Sequence, residues 1–133
     1  LDGVAFAGLA FSETVRAMAP GTITRVLLST APLVDAERGV ISTTQRVPAE
    51  LAEKLWGRQI WIDHGNGVQT RIGGLAAILP AVVEGQPIRR LSILGFAGDQ
   101  PVLAGIWVDG SYLGWGYRLE ETMAAYRALL TPQ

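Results

Sequence analysis

The side chains of this sequence that are equipped for proton transfer are few. His64 is the only histidine, and it follows Asp63 at the mouth of an expected hairpin. These two are the catalytic candidates, but adjacency does not make them a dyad, because consecutive strand residues point to opposite faces. No serine stands in a Gly-x-Ser-x-Gly elbow, the turn that presents a nucleophile in one large hydrolase class. Glu84, Asp99 and Asp109 fall at expected turns or element ends and form no spaced acid and base pair. With no cysteine and one histidine, a metal centre is not expected. Gly65-Asn66-Gly67 joins two expected strands and lacks the lysine and helix of a phosphate loop, so no cofactor is expected either.

Binding chemistry has better candidates. Arg25 is a lone charge in Thr22-Ile23-Thr24-Arg25-Val26-Leu27-Leu28, and Arg46 stands similarly near the end of the next β-rich run. Two guanidinium groups on adjoining strands can grip one carboxylate, although ordinary strand alternation also places a polar residue at each position. Trp107, Tyr112, Trp115 and Tyr117 lie among Gly95, Gly105, Gly114 and Gly116. Glycine inside strands marks a bulge or a close approach by a ring, a backbone or a ligand. The expected ligand-binding set is therefore Arg25, Arg46, Trp107, Tyr112, Trp115 and Tyr117, with core packing as the competing account of the aromatics.

The elements that would position these residues follow from periodicity. Apolar spacing over 2–19 predicts a helix, and the β-rich runs 22–29 and 40–47 predict a first hairpin. Pro48 opens a short helix that Gly57 ends. Runs 59–63 and 68–72 alternate about Asn66-Gly67, the strongest two-residue hairpin signal in the chain. Residues 75–83 carry a helical apolar stripe interrupted by Pro80, so either a helix begins near Leu79 or 75–79 is a strand or separate turn. Runs 91–96, 102–108 and 112–117 predict a three-stranded meander, and 119–130 a closing helix. The middle run, 102–108, is apolar on both alternating sides, which requires cover on both faces. The expected fold class is α+β: a largely antiparallel sheet of hairpins and a C-terminal meander, covered by about three to four helices, in one domain over 1–133.

Composition narrows function by exclusion. Eleven basic and twelve acidic residues leave a net charge of -1, with no basic footprint for nucleic acid or anionic membrane. No stretch has the ~18 to 20 apolar residues of a membrane-spanning helix. Leu1 to Phe11 is apolar but lacks a basic leader region; a cytoplasmic location is favoured, with secretion open. Arginine outnumbers lysine ten to one, as in a GC-rich bacterial genome. At 49% hydrophobic and 17% charged residues the chain is apolar for a small monomer, so an oligomer, a protein partner or a pocket for a small apolar acid is expected. The leading expectation is a non-catalytic binding or assembly module. The alternative is a lyase or isomerase acting on a hydrophobic carboxylic acid held by the arginines.

Overall fold

The computed structural model describes residues 4–6, 13–28, 33–44, 49–100 and 102–112. Its elements are, in order, β1 (Val4–Phe6), β2 (Thr14–Arg16), β3 (Gly21–Leu27), α1 (Asp35–Thr44), α2 (Ala49–Trp56), β4 (Gln59–Gly65), β5 (Val68–Gly73), β6 (Leu75–Ile78), β7 (Pro87–Ile88), β8 (Ile93–Ala97), β9 (Val102–Val108) and β10 (Ser111–Tyr112). Among the described residues, ten strands and two helices correct the expected fold class, because three to four helices do not cover one sheet. The strands form a seven-stranded sheet, ordered β1-β9-β5-β4-β3-β7 with β10 also on β9, and a three-stranded sheet, β2-β8-β6. All pairings are antiparallel.

The hairpin at Asn66-Gly67 forms as its residues demand. Asn66 and Gly67 have φ of 54° and 78°, the left-handed pair of a two-residue turn whose twist matches its strands. Asp109 and Gly110, at 49° and 83°, repeat that turn between β9 and β10. The two turns meet where the Asp109 amide donates to the Gly67 carbonyl at 2.8 Å. Helix α2 also forms where expected.

Other expectations fail for identifiable reasons. The helix expected over 2–19 is replaced, where it is described, by β1 on β9 and β2 on β8; long-range pairing outweighs the local apolar spacing. Where it is described, over 40–44, the expected second strand of the first hairpin is instead part of the helix α1. Asp35 and Glu37 lie in its first turn, and the Glu37 carboxylate accepts from the Val34 amide at 3.1 Å. That cap and the N-terminal acids favour helix despite β-branched Val40, Ile41, Thr43 and Thr44. Residues 75–78 are strand, as the second alternative for that segment expects, with Pro80 beyond it. The meander is broken, since β8 pairs β2 and β6 in the smaller sheet while β9 pairs β5, β1 and β10 in the larger. Gly98 and Asp99 thus lie on a crossing between sheets. The helix expected at 119–130 lies outside the described residues. Among those described, no helix is long and apolar enough to cross a membrane.

The core joins the two sheets. Ile23, Ile60, Ile62 and Ile72 of the larger sheet cluster with Leu75, Leu94 and Ala97 of the smaller one, with Ala17 and Val82 from the connections. β9 is interior to its sheet, in keeping with its two apolar sides: Val102, Ala104 and Ile106 alternate with Leu103, and all four are buried.

Candidate functional site

The opposite face of the larger sheet holds a different chemistry. Residues directly across an antiparallel ladder share a face, and the register sets Arg25 opposite Trp61, Trp61 opposite Arg71, and Arg71 opposite Gly105. This row crosses four strands. At its end Gly105 leaves room for a ring: a Cβ there would stand 2.6 Å from the Trp107 ring and 3.4 Å from that of Trp56. Gly73 does the same for α2, since a Cβ would fall 2.9 Å from the Trp56 ring and 2.6 Å from its carbonyl oxygen. Trp107 therefore leans along its own strand to meet Trp61 and Trp56, with ring centroids 5.1 and 5.9 Å away and both pairs tilted.

Arg71 lies between these rings. Its guanidinium carbon is 4.3 Å from the Trp56 centroid and 4.8 Å from that of Trp61, and the residue is 7% exposed. Each such cation–π contact contributes about 0.5–2 kcal/mol, more as water is excluded. The Arg71 Nε donates to the Gln59 Oε1 at 2.8 Å, and the Trp61 Nε1 donates to the same oxygen at 3.2 Å. The Gln59 amide nitrogen donates in turn to the carbonyls of Gly57 and Glu53 at the end of α2, at 3.0 and 3.4 Å. Gln59 is fully buried, so these bonds satisfy an amide that would otherwise destabilise the fold. The end of α2, one buried glutamine and one sandwiched arginine form a connected polar unit beneath half-buried Trp61 and Trp107. Arg25 edges this face in an ion pair with Glu53 of α2. With side chains 43% and 46% exposed, the pair orients more than it stabilises.

The expected proton-transfer residues are held otherwise. The Pro20 carbonyl lies 2.7 Å from the His64 Nδ1 and the Thr70 hydroxyl 2.7 Å from its Nε2. A carbonyl can only accept, so Nδ1 carries a proton, and both ring nitrogens are engaged. Asp63 accepts from the Gly65 amide at 2.9 Å and shapes the turn. Among the described residues no three of His, Cys, Asp or Glu cluster as metal ligands.

Of the expected ligand-binding set, the structure brings Arg25 and Trp107 to one face. Arg46, Trp115 and Tyr117 lie outside the described residues, and Tyr112 is described by its backbone, opposite Trp107. Trp56, Gln59, Trp61 and Arg71 were not expected. Alternation does place Trp61 opposite in facing to Ile60 and Ile62, but its partner depends on register. Counting back from Asn66-Gly67 sets Trp61 against Ile72; the irregularity between Asp63 and Gly65 moves it to Arg71.

No protein-family model and no curated protein matches the sequence. Solved structures share its fold. A zinc-containing peptidase from Vibrio cholerae is 19% identical with a TM-score of 0.58, the match covering 84% of this chain and 28% of that one. Csd3 from Helicobacter pylori is 12% identical with a TM-score of 0.61, covering 96% and 31%. A mutant catalytic domain of the prophage-encoded M23 protein EnpA from Enterococcus faecalis is 14% identical with a TM-score of 0.59, covering 87% and 78%. This chain thus spans less than a third of the first two. At these identities the likeness is one of fold.

Proposed function

We propose that this chain is a non-catalytic binding module on a peptidase-like fold, which docks a protein partner on the face marked by Arg25, Trp61 and Trp107. The observation that carries the reading is the state of its sole histidine. One structural neighbour is a zinc-containing peptidase, and zinc in proteins is held by histidine, cysteine and carboxylate donors. Here there is no cysteine and only His64, whose ring nitrogens are both engaged by Pro20 and Thr70. Among the described residues, these donors do not fit a zinc ion.

The tryptophan face supports the binding half of the proposal. Trp and Arg dominate the energetics of protein interfaces because flat rings bury much area at small entropic cost. Trp61 and Trp107 are half-buried, while Arg71, Trp56 and Gln59 hold the platform beneath them. Self-association through this face is the homo-oligomeric form of the same proposal.

Native mass spectrometry with added zinc, followed by incubation with a peptide library, tests it. The expected result is a chain without bound zinc and an uncleaved library. One zinc per chain together with cleavage that His64→Ala abolishes would overturn it. The same spectra report self-association; a dimer that Trp61→Ala converts to monomer would assign the oligomer to this face.

A further inference from the structure

Between α1 and α2 lies an open trough of about 410 Å³ with no tryptophan in its lining. Its apolar floor is Leu33, Ile41 and Leu55, and its rim carries Arg38, Lys54 and Gln100. A second cleft of about 140 Å³ continues it along α2, sharing Lys54, Leu55 and Gln100. The volume is within the range of about 300–1,000 Å³ typical of ligand sites, but an open cleft suits a segment of a partner chain better than an enclosed small molecule.

Its charge specifies the occupant. Lys54 is clamped to Glu37, its Nζ 2.9 and 3.2 Å from the two carboxylate oxygens, which ties α1 to α2 and neutralises that acid. The exposed Arg38 guanidinium has no partner among the described residues, so the first cleft keeps a positive rim in a chain of net charge -1. In the second cleft Arg58 turns its guanidinium to the carbonyls of Leu28, Leu75 and Ala76, and Asp99 lines the same cleft. We infer that the trough between α1 and α2 docks an extended acidic segment of a partner protein, with an apolar side chain on Leu33, Ile41 and Leu55 and a carboxylate on Arg38. Attraction is local to the rim, so binding weakens as salt screens it.

The probe is a fluorescein-labelled peptide of alternating Glu and Leu, titrated against the full chain by fluorescence anisotropy, with a Lys and Leu peptide as control. The expected result is saturable binding of the acidic peptide alone, weakened about tenfold by Arg38→Glu, weakened also by Ile41→Asp, and unchanged by Trp61→Ala. Both variants alter the surface helix α1 rather than the core between the sheets, and unchanged melting curves establish that they remain folded. Absence of saturable binding, equal binding of the basic peptide, or affinity indifferent to Arg38→Glu and Ile41→Asp would overturn the inference. Loss on Trp61→Ala instead would move the peptide to the sheet face, overturning the trough and leaving the function proposed above intact.

Discussion

The two faces of the larger sheet are built by the same strands and hold together differently. The inner face joins Ile23, Ile60, Ile62 and Ile72 to the smaller sheet, with Thr70 as its buried polar member, bonded to His64. The outer face sets Arg71 between Trp56 and Trp61 and stacks Trp107 beside them. Aliphatic burial is non-directional and tolerates any filling of the right volume. Ring and cation contacts require a definite geometry. The inner face therefore supplies most of the stability, and the outer face supplies a shaped surface.

The largest expected effect tests the inner face. Ile60 is fully buried; Ile60→Ala should destabilise by about 2–5 kcal/mol and Ile60→Val by only about 0.5–1.5, read from urea midpoints. A cost for Ile60→Ala no greater than that of the Val variant would remove the distinction between faces. Arg71 tests the outer one. Arg71→Ala empties the slot between the rings and should cost about 2–3 kcal/mol, whereas Arg71→Met refills it without a buried charge and should cost less than about 1.5. Equal losses would mean that charge, not filling, dominates there.

Gly105→Ala places a methyl 2.6 Å from the Trp107 ring and should cost about 1–3 kcal/mol through overpacking. The double variant with Trp107→Leu should recover part of that loss, a non-additivity that separates ring crowding from backbone strain. The smallest effect concerns α1. The hydrogen bond from Lys54, then that from the Val34 amide, holds the Glu37 carboxyl below its ordinary range. A depressed folded value means that its contribution is complete above the unfolded value, about 4.3, and is lost as pH falls through the lower folded one. Amide exchange in α1 should thus be constant from neutral pH to that range, after intrinsic correction, and faster below it. Glu37→Gln should show the faster exchange already at pH 7.

The sequence by itself determined the elements whose signals are local. Asn66-Gly67 dictates its hairpin because few residues accept two consecutive left-handed conformations. Gly57 marks the end of α2, and the two-sided apolar pattern of 102–108 marks an interior strand. It also determined that His64 stands alone as histidine, the fact on which the functional proposal turns. Only the tertiary structure decided the rest. The split of 93–97 and 102–108 between two sheets depends on partners distant in sequence, β2 and β6 for one, β5 and β1 for the other. Residues 40–44 are helical because a cap at Val34 and Glu37 offsets their β propensity. The candidate site depended on a single register shift: with side chains alternating at every residue, the irregularity beside His64 decides whether Trp61 faces Ile72 or Arg71. Local patterns encode conformation, whereas the meeting of a cation with two rings is a property of register, which pairing between strands alone sets.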